Sequence, residues 1–111
     1  MRIPVKDEFG RDVGSTEEGV FYTSRLRYKH FYRNFESYGI SVYVLEKVRA
    51  RGVRHVCIQE YREGGPRYLY SSLDDWFASG LDYTDPTNNR DQQKHIPVSK
   101  MRDEFGETIT A

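Results

Sequence analysis

Residues 40–80, ISVYVLEKVRARGVRHVCIQEYREGGPRYLYSSLDDWFASG, predict a helix, a hairpin and a second helix, in that order. Ser41 stands where a helix N-cap belongs, Val44, Leu45 and Val48 share one face, and Gly52 supplies a stop after Arg51. The run from Val53 to Tyr61 then alternates, with Val56 and Ile58 turned the same way. Arg67-Tyr68-Leu69-Tyr70 returns beside it across Glu63-Gly64-Gly65-Pro66, a connection longer than a two-residue turn. Ser72, three residues before Asp75, opens a helix with Leu73, Trp76 and Phe77 on one face, which Gly80 closes. This unit predicts an α+β fold: a small, mainly antiparallel sheet with two helices, a helix-hairpin-helix centre and extended, irregular termini.

Working outward from it, Val20-Phe21-Tyr22-Thr23 has the β-branched and aromatic content of a strand. In the following run, period two puts Leu26, Tyr28, His30 and Tyr32 on one face and Arg25, Arg27, Lys29, Phe31 and Arg33 on the other. A helix would gather Leu26, Lys29, His30 and Arg33 on a strongly basic face, so a strand or irregular extended segment is the better expectation. Residues 1–19 are rich in turn formers and read as an arm with a loose loop. Residues 81–94 read as a loop before a last short strand, His95-Ile96-Pro97-Val98, and 99–111 as a tail, leaving 20–98 as one domain. Ile3-Pro4-Val5 and Asp7-Glu8-Phe9-Gly10 are echoed by Ile96-Pro97-Val98 and Asp103-Glu104-Phe105-Gly106. Two copies make no repeat architecture. The echo is either coincidence or a sign that both ends form similar edge segments, with Phe9 and Phe105 as apolar anchors for a neighbouring chain.

A chain of 111 residues supports one hydrophobic core, and 14% aromatic residues argue against disorder. No apolar run is long enough for a membrane helix or resembles a signal peptide, so a soluble, cytoplasmic protein is expected, with no membrane partner. Cys57, the single cysteine, excludes an intrachain disulfide and a cysteine-rich zinc site. The net charge is zero, but it is unevenly spread. Between Val20 and Arg54 eight basic residues face two acidic ones, making that third +6 and the remainder −6.

That basic, aromatic segment carries the functional expectation. Arg and Lys displace counterions from phosphates and aromatic rings stack on exposed bases, so Tyr22, Arg25, Arg27, Lys29, His30, Tyr32 and Arg33, with Arg49 and Arg51, form a candidate nucleic-acid-binding set. Taken singly, each has a plainer explanation: a half-buried strand, or cations suited to the negative end of a helix. A metal-dependent nuclease is the enzyme alternative. Glu60-Tyr61-Arg62 resembles a Glu-x-Lys ending, but a guanidinium cannot exchange a proton near neutral pH as a lysine can. Asp74 and Asp75 are accounted for by the helix dipole. His30, His55 and His95 have no ligand spacing, and Cys57 reads as a small buried residue. No catalytic residue, metal or cofactor is expected.

Tyr22 and Ser24, Lys29-His30-Phe31-Tyr32-Arg33, Tyr38-Gly39-Ile40-Ser41, Leu45, Gly52-Val53 and His95-Ile96-Pro97-Val98 resemble, across residues 20–98, small proteins carried by archaeal plasmids and viruses. The resemblance implies a mobile-element origin and transfers no active site. Salt-adapted members would be strongly acidic, whereas this chain is balanced. The expected function is a non-enzymatic nucleic-acid-binding accessory or regulatory protein. The alternative is a protein-interaction or assembly role, with a protein partner or a homo-oligomer.

Overall fold

The computed structural model describes residues 1–32, 34–79, 81–85 and 88–108, with strand placement alone at 32, 81, 84–85 and 88–91. Its ten strands and two helices run β1 (Ile3–Lys6), β2 (Asp12–Glu17), β3 (Val20–Arg27), β4 (His30–Tyr32), β5 (Phe35–Ser41), α1 (Val42–Ala50), β6 (His55–Glu60), β7 (Arg67–Ser72), α2 (Leu73–Ala78), β8 (Leu81–Asp85), β9 (Asn88–Pro97) and β10 (Arg102–Asp103). A 3-10 turn, Val98–Lys100, joins β9 to β10. The strands form two sheets, ordered β1-β2-β3-β6-β7-β10 and β4-β5-β9-β8. Every pairing is antiparallel except β3 with β6, whose parallel connection crosses through β4, β5 and α1.

The expected α+β fold with a helix-hairpin-helix centre is therefore corrected to a mainly β fold of two sheets. The central elements form as the sequence predicts. In α1 the basic last turn closes in a Schellman arrangement, with Gly52 N–H on Arg49 O at 3.0 Å and Val53 N–H on Val48 O at 3.1 Å, Gly52 taking φ 85°. Ser41, the last residue of β5 and paired with Gln93, makes no side-chain cap. Ser72 does cap α2, accepting from Asp75 N at 3.1 Å. Gly80 lies outside the described residues. What overturns the fold class is strand formation in the flanks. Residues 1–19 fold into the β1–β2 hairpin, and Leu81–Asp85 and Asn88–Pro97 into the antiparallel β8–β9 pair.

Both flanks are polar for a physical reason. In β2 the inward positions are Gly14 and Thr16, both buried, and a Cβ at Gly14 would strike the Phe21 ring and Tyr22 O. The aromatic ring of β3 thus fills the space that β2 leaves empty. Among the described side chains of β9, Ile96 joins the hydrophobic core. The core packs Val5, Phe21, Val56, Ile58 and Leu69 of the large sheet, with Met101 just before β10, against Tyr38, Ile40 and Ile96 of the small one. Val44, Leu45 and Val48 of α1 and Leu73 and Trp76 of α2 close it. Trp76 is fully buried, and its Nε1–H donates to Ser71 Oγ at 2.7 Å. No helix among the described residues is long and apolar enough to cross a membrane.

The echo separates into two halves. Ile3-Pro4-Val5 lies in β1, whereas Ile96-Pro97-Val98 runs from β9 into the 3-10 turn, so those segments are unrelated in structure. The Asp-Glu-Phe-Gly halves build the same hairpin turn. In each, the aspartate Oδ1 accepts two backbone N–H groups at 2.9 Å: Phe9 and Arg11 on Asp7, Phe105 and Glu107 on Asp103. Gly10 and Gly106 close the turns at φ 79° and 81°. Val5 and Met101, each two residues before its aspartate, are both fully buried. The tips sit toward opposite edges of the large sheet.

Candidate nucleic-acid interface

The basic run splits between the sheets. β3 carries it to Arg27, Tyr28 and Lys29 form the crossing, and His30 resumes in β4 of the other sheet, so the single alternating strand expected here does not form. A wide bulge in β3 prepares the split: between the pairs Tyr22 with Cys57 and Leu26 with Gln59, β3 takes four steps while β6 takes two. Thr23 pins the bulge. Its Oγ1 accepts from Gln59 N at 3.3 Å, and Gln59 Nε2 donates to Thr23 O at 3.0 Å. Arg25 and Arg27, on the same side of β3 as Phe21 and Thr23, reach the opening between the sheets.

There they line a cleft of about 180 Å³ with Gly39, Ile40 and Ser41 of β5, Tyr43 and Val44 of α1, Gln93 of β9 and the Asp7–Arg11 tip. Gly39 keeps this wall thin: a Cβ on it would come within 2.6 Å of His95 Nε2 and 2.8 Å of Gln93 Oε1. Arg27 Nε is buried and has no hydrogen-bond partner among the described residues. Among the described residues, neither Arg25 nor Arg27 makes an ion pair. Burial, and then the neighbouring Arg25 charge, lower the Arg27 pKa from its ordinary value. A guanidinium remains protonated all the same, so the direction marks a charge that is costly where it stands. Asp7, Glu8 and Asp12 line the same cleft, but Asp7 is held by Arg11 at 2.7 Å.

The remaining candidate residues are dispersed. Tyr22 lies in another concavity, under the Arg2 guanidinium at 4.1 Å. Lys29 pairs with Glu36 at 3.3 Å, and Arg49 covers the Phe77 ring at 4.1 Å. Arg51 is the exposed C-cap of α1. His30 meets the His95 ring edge-on at 5.9 Å, and Tyr32 ends β4 opposite Phe35. Arg33 lies outside the described residues. Sequence reasoning missed the contribution of the first hairpin to the cleft, although the Asp-x-x-Gly spacing of Asp7 and Gly10 was its signal.

The other chemistry-bearing groups are engaged in the fold. Glu60 is almost fully buried, with Arg67 Nη2 at 2.7 Å and Nε at 2.9 Å on Oε1, and the Tyr38 hydroxyl on Oε2 at 2.7 Å. His95, also buried, shares a 2.9 Å hydrogen bond between Nδ1 and Ser37 Oγ, while His55 begins β6 in the other sheet. Burial pushes the Cys57 thiol up, keeping it protonated and unreactive. Among the described residues no three His, Cys, Asp or Glu side chains gather as a metal site. In comparisons with family models, curated proteins and solved structures, nothing matches this chain.

Proposed function

We propose that this protein binds nucleic acid without catalysis, and that Arg25 and Arg27 are its phosphate-contacting residues. Arg27 is the observation that carries the reading: a partly desolvated guanidinium, beside a second one, with its Nε orphaned and no ion pair formed among the described residues, although Asp7, Glu8 and Asp12 line the same cleft. An uncompensated buried charge is costly, and an incoming phosphate oxygen relieves it with the forked geometry that Arg favours. The bulge beside these arginines agrees with the same reading, because bulges are over-represented next to functional sites. A role as an accessory protein of a mobile element is the setting its sequence resemblance implies.

The test is fluorescence anisotropy with labelled oligonucleotides across a salt series. Binding weakens as salt rises, and Arg25→Ala with Arg27→Ala lowers affinity and flattens the log–log slope by about 0.7 to 0.9 per lost contact. Arg49→Ala with Arg51→Ala is the control and leaves the slope nearly unchanged. Absence of binding to any DNA or RNA at low salt overturns the proposal. A second reading, self-association or docking to another protein, is favoured by the two matching tips, whose Phe9 and Phe105 are 56% and 81% exposed. Light scattering separates it: a concentration-dependent mass that Phe9→Ser with Phe105→Ser abolishes supports assembly.

A further inference from the structure

On the face of the large sheet turned away from the core, β3, β6 and β7 present a row of their own. Phe21, Val56, Ile58 and Leu69 point inward, so the alternate residues Tyr22, Cys57, Gln59, Tyr68 and Tyr70 point outward. Register aligns Tyr22 with Cys57 and Cys57 with Tyr70, so two tyrosines flank one small side chain across three strands. Two strand spacings separate their backbones by about 10 Å. The concavity here measures about 340 Å³ and is lined by Tyr22, Gln59, Tyr68 and Tyr70, with Cys57 buried beneath them.

The rim is polar on both sides. Arg2 lies over Tyr22 and Glu104 stands among the lining residues, giving one cation and one carboxylate beside the rings. Gln59 Nε2 is held by Thr23 O, which leaves its amide oxygen as an acceptor. The Tyr70 hydroxyl has its pKa pushed up to about 12, by burial first and by its interaction with the neighbouring Cys57 thiol second. Aromatic walls with a donor and acceptors at the edge suit a planar heteroaromatic ring, and suit poorly an aliphatic chain or a bare anion.

We infer that this concavity takes an unpaired nucleobase, so that the nucleic acid bound through Arg25 and Arg27 is single-stranded. The inference rests on the proposed phosphate contacts. β3 connects the two places, with Tyr22 in the concavity and Ser24 and Arg25, just past it, in the cleft. A duplex keeps its bases stacked inside and cannot offer one to the sheet, whereas a single strand can.

The experiment compares a labelled single strand, as DNA and as RNA, with the same sequence as a duplex, using wild-type protein, Tyr68→Ala, Tyr68→Phe and Arg25→Ala with Arg27→Ala. Tyr68 is 38% exposed, so its truncation leaves the core intact, and thermal melting checks this. The single strand binds more tightly than the duplex. Tyr68→Ala weakens it by about fivefold or more at an unchanged salt slope, and Tyr68→Phe restores it. Titration with adenosine monophosphate moves the amide resonances of Cys57 and Gln59. Equal affinity for duplex and single strand, or no effect of Tyr68→Ala, overturns this inference and leaves the arginine contacts standing if the double arginine variant still loses binding. Absence of all binding at low salt overturns both.

Discussion

The Tyr38 hydroxyl donates a 2.7 Å hydrogen bond to Glu60 Oε2 and so ties β5 of the small sheet to β6 of the large one through the middle of the core. Both side chains are almost fully buried, and Arg67 completes the carboxylate from the neighbouring strand β7. Tyr38→Phe removes one partner from a buried carboxylate and is expected to cost about 1 to 3 kcal/mol. Arg67→Ala removes the countercharge and costs more. Urea denaturation with an unchanged m-value measures both, and a Tyr38→Phe midpoint equal to wild type would remove this bond from the account of sheet packing.

The same pair sets an alkaline limit. Burial, reinforced by the Glu60 bond, raises the Tyr38 pKa well above its unfolded value of 10.0, and Tyr70 is raised to about 12. Above about pH 10 the unfolded chain loses protons that the folded chain keeps, so stability present below that pH declines as pH rises toward the folded values. Thermal melts from pH 8 to 11 are expected to show falling midpoints, with a shallower fall in Tyr38→Phe.

His95 sets the opposite limit. Burial, and then the His30 ring at 5.9 Å, lower its pKa from 6.5. Its other ring neighbours are Ser37 Oγ on Nδ1 and the Tyr83 ring at 5.7 Å. The stability it contributes is complete above pH 6.5 and is lost as pH falls through the folded value. A histidine proton resonance that titrates below the free value reports it, and a pKa at or above 6.5 would contradict the buried placement.

Trp76→Ala is expected to destabilise the protein by about 3 to 5 kcal/mol, since it empties the largest core position and orphans Ser71 Oγ. An unchanged denaturation midpoint would take α2 off the sheet.

The two Asp-Glu-Phe-Gly turns offer a matched pair. Gly10 and Gly106 hold nearly the same positive φ with open space around them, so Gly10→Ala and Gly106→Ala each meet backbone strain alone, about 1 kcal/mol. Gly14→Ala adds a collision with Phe21 and Tyr22 O and costs considerably more. Chemical denaturation of the three variants ranks them, and a mild Gly14→Ala would show that β2 does not pack over Phe21 as described.

The sequence by itself determined what neighbours along the chain decide. Gly52 ends α1, Ser72 begins α2, Gly64 and Gly65 turn the β6–β7 hairpin, and Trp76 faces inward, because caps, turns and a 3.6-residue period are local signals. Charge asymmetry pointed to the segment holding Arg25 and Arg27. Only the tertiary structure decided that Asp12–Glu17 and Asn88–Pro97 are strands, since polar residues carry little apolar alternation and gain their order from partners distant in sequence. It also decided which cations stand together. Lys29 is paired with Glu36 and Arg49 lies on Phe77, while Arg27 is half-buried beside Arg25 and forms no ion pair among the described residues. Desolvation depends on what the opposite sheet covers, and no spacing within one strand encodes that.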